Sequence, residues 1–196
     1  MKPLKARALY PSSNEWGIPD LRIDRQAEIV PPVMPWGSRS RGAKMTGTWV
    51  FYVDDYRFGA LEKQPLQLVA TGCNGAAELN FTIYDQATRA EAIWATYRKR
   101  AVARQWQDAG INVLVDLNVP EQLRDLCLLG VPLGWRSFAT RSYSARPEAL
   151  RSEWRAAREF AGDALTMLVF SGGPDTEKLC RELPGTVYVP GHWETP

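Results

Sequence analysis

Short apolar runs separated by helical stretches constrain the fold of this chain more than any other feature of its sequence. Between residues 49 and 190, such runs occur at 49–53, 66–70, 111–117, 136–143, 165–170 and 186–190. Continuous apolar runs are typical of strands covered on both faces, as in a parallel sheet. Helical patterns occupy intervening segments, at 87–108, 120–130, 147–161 and 175–183. The alternation predicts an α/β domain, a mostly parallel sheet with flanking helices.

Two architectures fit this alternation. The predicted strands are too few for a closed eight-stranded barrel, so an incomplete (β/α) barrel and an open three-layer sandwich both remain. In either one, ligand sites gather at the carboxyl ends of the parallel strands. A chain of 196 residues is long enough for one domain with a substantial core.

The first part of the chain has a different composition. Residues 1–47 are rich in proline, with scattered glycine and serine and little periodicity. Proline removes a backbone donor and disfavours helix, so we expect an irregular N-terminal arm. The arm is predicted to pack on the domain through Trp16 and Trp36, and residues 48–196 to form a single α/β domain.

Composition excludes several classes of protein. The three cysteines lie far apart, which argues against a disulfide framework or a structural zinc site and fits a reducing compartment. No apolar run approaches the roughly 20 residues that span a bilayer, so no membrane partner is expected. The net charge of +2 is not that of a polybasic nucleic-acid binder. A single histidine, His192, excludes a histidine-based triad.

Acidic residues follow two of the predicted strands. The stretch "WVFYVDDYRF" at 49–58 ends its apolar run on Asp54 and Asp55, and Asp116 ends another run. Two such carboxylates brought together could bind a divalent cation or share a proton, so these three residues are the catalytic candidates. Successive side chains of a strand point to opposite faces, so only one of Asp54 and Asp55 would face the site. The alternative is an aspartate that caps the next helix or pairs with Arg57.

Other polar residues at the strand ends are typical of a site for a charged, oxygen-rich ligand. The segment "FSGGPDTEKL" at 170–179 places two glycines between a strand and a helix, where backbone N–H groups can approach an anion, although turn glycines are the alternative. It lacks the spacing of a phosphate-binding loop. The predicted ligand-binding residues at these ends are Arg57, Asn118, Arg141, Ser171, Gly172 and Gly173.

The two longest predicted helices carry eight of the 24 lysines and arginines of the chain. On the helix at 87–108, Ala90, Ile93, Trp94, Tyr97 and Ala101 share an apolar face, which Arg104 joins and Arg100 borders. Arg98 and Lys99 point elsewhere, and Trp106 is expected on the opposite face as an exposed contact. Arg98, Lys99, Arg100 and Arg104 are candidates for phosphate contacts, with structural ion pairing as the alternative. On the helix at 147–161, the interspersed charges, Glu153 among them, are expected on a solvated face.

Several of these segments together resemble one family. They are "WVFYVDDYRF", "LNFTIYDQ" at 79–86, "IWATYRKRAVARQWQDAGINVLVDL", and "LVFSGG" at 168–173. Over roughly residues 16–190 the chain is similar to the phage and bacterial family called domain of unknown function 4417. Asn80 stands where the resemblance would put an aspartate, which keeps an oxygen but loses the charge. We therefore count Asn80 among the ligand-binding candidates. "TGCNGAAEL" at 71–79 looks like an insertion relative to the family pattern.

The family implies a setting in phages, plasmids and integrated elements, and no activity. We therefore expect a mobile-element protein in the cytoplasm of a bacterial host, acting on or binding DNA or RNA, with replication as one role. One alternative is an enzyme or sensor for a nucleotide or phosphorylated metabolite, with its site at the carboxyl edge of the sheet. Another is an inhibitor or scaffold that binds a host protein. The sequence leaves open whether the chain is an enzyme, whether it uses a cofactor, for which a divalent cation is the one candidate, and its oligomeric state.

Overall fold

The computed structural model describes residues 10–37 and 45–191, and His192 lies outside them. These residues form one seven-stranded sheet. Its strands are β1 (Val33–Pro35), β2 (Thr48–Val50), β3 (Gly75–Ala77), β4 (Asn112–Asp116), β5 (Ser137–Arg141), β6 (Thr166–Phe170) and β7 (Thr186–Val189).

The strands are ordered as in the sequence, and each neighbouring pair is parallel. Sequential order with crossovers of one hand keeps the helices on one side and curls the sheet into a half-barrel. The α/β prediction is confirmed, and the incomplete barrel is the correct one of the two architectures.

Helices cover the outer, convex face of the sheet. They are α1 (Asp55–Lys63), α2 (Arg89–Asp108), α3 (Arg124–Cys127), α4 (Pro147–Ala161) and α5 (Gly173–Glu182). The longest, α2, begins with a capping box in which Thr88 and Glu91 satisfy each other's backbone N–H groups. Pro147 opens α4 at a first helical position, where its missing N–H costs nothing.

Alternation along each strand divides the core between the two faces of the sheet. On β4, Val113 and Val115 point outward into the large cluster beneath the helices, and Leu114 points into the concave side. The concave cluster consists of Ala27, Val50, Tyr52, Ala77, Leu114, Ala139, Leu168 and Phe170. Side chains therefore fill the inside of the half-barrel.

Four segments differ from the sequence prediction. Residues 66–70 are not a strand but two 3₁₀ turns, at Pro65–Gln67 and Val69–Thr71. Their buried residues recur every third position, at Pro65, Leu68 and Thr71, which is the 3₁₀ period. The helix α1 and the strands β1 and β3 were not predicted, and β3 lies inside the segment that resembled an insertion.

The arm contributes to the sheet and to the core. β1 is its edge strand, and the Ala27 N–H donates to the Val113 carbonyl at 3.0 Å. Trp36 is buried with its ring 5.1 Å from that of Trp49, as predicted. Trp16 is 51% exposed and lies beside Ile93 and Trp94 of α2, whereas Ile18 is 0% exposed and is the more deeply buried residue of the arm. No helix in the described part of the chain is long and apolar enough to cross a membrane.

Candidate functional site

A cleft of about 870 Å³ opens at the carboxyl edge of the half-barrel. Its walls are formed by the segments that follow β2, β3, β4 and β5 and by the first turns of α4. Five predicted site residues line it: Asp54, Arg57, Asn80, Asn118 and Arg141. The carboxyl-end rule for parallel sheets thus brings together side chains up to 87 positions apart in the sequence.

The cleft residues after β2, β3 and β4 contact each other in pairs. Asp54 precedes the first residue of α1 without a side-chain capping bond, and its Oδ2 lies 3.9 Å from Arg57 Nε. Asn118 Nδ2 donates to Asn80 Oδ1 at 3.4 Å, which links the segments after β3 and β4. The aspartate–arginine pairing that the sequence left as an alternative is present.

The three catalytic candidates do not converge. Asp54 lies at the cleft, whereas Asp55 accepts hydrogen bonds from the hydroxyl (2.9 Å) and the N–H of Thr82. Asp116 is 2% exposed and lies beneath the cleft. Among residues 10–37 and 45–191, no group of three or more His, Cys, Asp or Glu side chains is placed to hold a metal ion.

Two buried ion pairs support the floor of the cleft. Asp116 accepts from the Tyr52 hydroxyl and lies 3.3 Å from Lys99 Nζ. Burial raises the pKa of Asp116, while the Lys99 ammonium acts in the opposite direction. Arg100 pairs with Glu78 and also donates to the carbonyls of Leu129 and Cys127. These pairs tie α2 to the ends of β3 and β4.

Sequence reasoning missed two buried charged residues of the cleft, Arg124 and Glu153. Arg124 is 7% exposed and donates to Ser152 Oγ at 2.8 Å, and its Nε has no hydrogen-bond partner in the described part of the chain. Glu153 is 5% exposed, so its assignment to a solvated face is wrong. Its spacing between Leu150 and Ala157, three and four residues away, was the available signal that it faces the core.

The Glu153 carboxyl has an unusual environment. It accepts a hydrogen bond of 2.7 Å from Thr140 Oγ1. Burial raises its pKa to about 8, against the opposing effects of the Thr140 hydroxyl and the Arg124 guanidinium. Around neutral pH the group therefore carries a proton.

The proposed phosphate contacts of α2 are engaged within the protein. Arg98 forms a bidentate pair with Glu62 at 2.6 and 2.7 Å, and Arg104 pairs with Asp108 at 3.2 Å. Lys99 and Arg100 are buried, so the prediction that Lys99 points away from the core is wrong. All four side chains therefore already have a carboxylate partner within the protein.

The sequence also misjudged which face of α2 is buried. Ala90 and Trp94, predicted on the apolar face, are exposed. Trp106, predicted as an exposed contact, is 0% exposed and donates to the Pro65 carbonyl at 2.9 Å.

The Ser171–Gly173 turn lies beside the cleft and does not line it. All three residues have positive φ, and a side chain at Gly172 would overlap Thr176, so this position requires glycine. The Ser171 N–H donates to the Val189 carbonyl at 2.8 Å. A structural turn therefore accounts for this segment, and ligand binding by it stays a prediction.

Fold and site together define a half-barrel α/β protein with a polar, arginine-rich cleft at the carboxyl edge of its sheet. A family model described as a domain of unknown function (DUF4417) matches residues 10–146. The chain belongs to this family, as the sequence motifs predicted. The match ends before Glu153.

Two curated relatives are phage proteins. The chain is 31% identical to the Gene 1 protein of Mycobacterium phage L5 over 203 residues, which covers 97% of the chain and 86% of that protein. It is 33% identical to the Gene 1 protein of Mycobacterium phage D29 over 137 residues, covering 67% of the chain. The chain spans about half the length of that relative, as the match covers 50% of it. No solved structure matches the chain significantly.

Proposed function

We propose that this protein binds a phosphorylated small ligand, a nucleotide or a phosphorylated metabolite, in the cleft. The observation that carries the proposal is Arg124, a buried guanidinium in the wall of the cleft whose Nε has no partner among the described residues. A buried donor without an acceptor costs about 1–3 kcal/mol, and a ligand oxygen would remove that cost. Guanidinium groups match phosphate oxygens in a bidentate geometry.

The charges of the cleft favour an anion. Its lining contains four arginines, Arg57, Arg124, Arg141 and Arg146, and four carboxyl groups, Asp54, Asp85, Glu121 and Glu153. With a pKa of about 8, Glu153 is mostly neutral at pH 7. The four arginines then outnumber the three remaining carboxylates of the lining. The amides of Asn80 and Asn118 add donors and acceptors for the hydroxyl groups of a ligand.

A small ligand fits this site better than a nucleic-acid duplex. The cleft lies within the roughly 300–1,000 Å³ typical of small-molecule sites. The basic residues of α2, by contrast, are paired with carboxylates. A terminal phosphate of a single-stranded nucleic acid would offer the cleft the same chemistry, and the phage relatives make that source relevant.

The test is binding of AMP, ribose 5-phosphate and a 5′-phosphorylated single-stranded oligonucleotide, measured by calorimetry and thermal shift. A ligand at 100 times its dissociation constant stabilises the fold by about 2.7 kcal/mol. We expect Arg141→Ala and Arg146→Ala each to weaken binding by roughly 10- to 100-fold, the effect of one charge-assisted hydrogen bond. Arg181 does not line the cleft, and its side chain is 74% exposed. Arg181→Ala is therefore the matched control and should bind the three ligands as the wild type does.

Each result has a definite meaning. Binding of AMP or ribose 5-phosphate supports the small-ligand function. Binding of the oligonucleotide alone, with affinity falling steeply as salt rises, would replace it with nucleic-acid binding. If no probe binds, the cleft proposal fails, and the inhibitor or scaffold alternative gains.

A further inference from the structure

Glu153 occupies a position where the fold would accept an apolar residue. It lies on the inward stripe of α4, between the buried Leu150 and Ala157. A buried carboxyl is costly unless it is neutral or paired, and no arginine or lysine lies within ion-pair distance of it among the described residues. Its hydrogen-bond donor is the Thr140 hydroxyl. Packing alone does not explain a glutamate here.

The elements packed around Glu153 surround it with groups that change how readily its carboxyl group loses its proton. β5 supplies Thr140, and α3 supplies Arg124, whose positive charge favours the ionised carboxylate. β4 supplies Asp116, whose negative charge disfavours it, and Tyr52 follows β2 with its hydroxyl bonded to Asp116. Glu153, Arg124 and Tyr52 all line the cleft.

We propose that Glu153 is the acid–base group of the cleft: its carboxyl proton passes to an oxygen of the bound phosphorylated ligand, and the carboxylate takes it back. In the forward step the O–H bond of Glu153 breaks, and an O–H bond forms on the ligand. The Thr140 hydroxyl and the Arg124 guanidinium then stabilise the carboxylate that remains. This inference rests on the proposed function, and it makes the cleft competent for acid–base chemistry as well as for binding.

The proposal has a consequence that a glutamate acting only in core packing would lack. A bound dianion repels an ionised Glu153, so the cleft should bind phosphate with the carboxyl protonated. Raising the pH through the pKa of about 8 should then weaken binding. The second pKa of a phosphomonoester is about 6, so the ligand itself is already largely a dianion at pH 7 and does not cause this fall.

The experiment measures the affinity for ribose 5-phosphate between pH 7 and pH 9.5, with the full chain. For the wild type we expect a plateau below about pH 8 and a fall of on the order of tenfold per pH unit above it. Glu153→Gln keeps the size of the side chain and a hydrogen-bond donor, and its affinity should not change with pH. Thr140→Val removes the donor that favours the carboxylate, so the pH at which affinity begins to fall should move upward.

A wild-type affinity that does not vary with pH, or an equal fall in the wild type and Glu153→Gln, would overturn the inference and leave the proposed function intact. If neither protein binds ribose 5-phosphate at any pH, the proposed function fails, and this inference fails with it. Thr140→Val keeps the inference testable if Glu153→Gln does not fold.

Discussion

A carboxyl group buried in an apolar stripe makes the stability of a protein depend on pH over an unusual range. The pKa of Glu153 is about 8 in the folded protein, against an ordinary value of 4.5. Between these two values the folded protein holds a proton that the unfolded chain releases. The contribution of Glu153 to stability is therefore complete below about pH 4.5, decreases as pH rises, and stops changing above about pH 8.

Replacing this carboxyl by an amide should remove that dependence. We expect the free energy of unfolding of the wild type, relative to Glu153→Gln, to fall by up to ~1.4 kcal/mol per pH unit between about pH 5 and pH 8. Urea denaturation at several pH values measures it. Glu159→Gln, an exposed glutamate on the same helix, is the control and should differ from the wild type by a constant amount. If the free energy of unfolding of Glu153→Gln also differed from that of the wild type by an amount that does not vary with pH, the raised pKa of Glu153 would be contradicted.

At the scale of elements, α2 shows that a local sequence pattern predicts the length of a helix but not which of its faces is buried. Its length was predicted to within two residues, because the start and stop signals are local. Its orientation was not, because the buried face includes Lys99 and Arg100, which make that face read as polar. The partners that neutralise them are distant in sequence: Asp116 ends β4, and Glu78 directly follows β3. A helical wheel contains no information about partners distant in sequence.

The buried pair between Arg100 and Glu78 yields a stability prediction for α2. Arg100→Met leaves Glu78 buried without its partner and should cost about 3–5 kcal/mol, as broken buried ion pairs do. The double variant Arg100→Met with Glu78→Leu removes both charges and should recover the part of that loss that comes from the unpaired carboxylate, while the Leu129 and Cys127 carbonyls still lack their Arg100 donor. Arg155→Met on the exposed face of α4 is the control and should change stability by less than about 0.5 kcal/mol. A single variant as stable as this control, or a double variant no better than the single one, would contradict the ion-pair role. Urea denaturation followed by circular dichroism provides the measurement.

For the whole molecule, the two ends of the half-barrel are built differently. At the amino ends of the strands, the arm closes the sheet: Ala27 contacts Val113 and accepts a hydrogen bond from Ser137. At the carboxyl ends no such segment covers the strands within the described residues, and the cleft lies there.

The strands that the sequence missed, β1 and β3, have three residues each, and Gly75–Ala77 lacks the bulky residues that mark a strand. Their pairing with neighbouring strands, rather than any local pattern, makes them part of the sheet.

This division of the molecule predicts that arm and cleft can be perturbed separately. Ile18 is fully buried, so Ile18→Ala should cost about 2–5 kcal/mol of stability, whereas Trp16→Ala should cost less than about 1 kcal/mol because half of that residue is already exposed. Urea denaturation followed by circular dichroism measures the stability of both variants.

At temperatures where each variant remains folded, the affinity for ribose 5-phosphate should equal that of the wild type, since neither residue lines the cleft. Equal stability losses in the two variants would show that the arm does not pack through Ile18. A weaker affinity in folded Ile18→Ala would show that the closed end and the cleft are coupled.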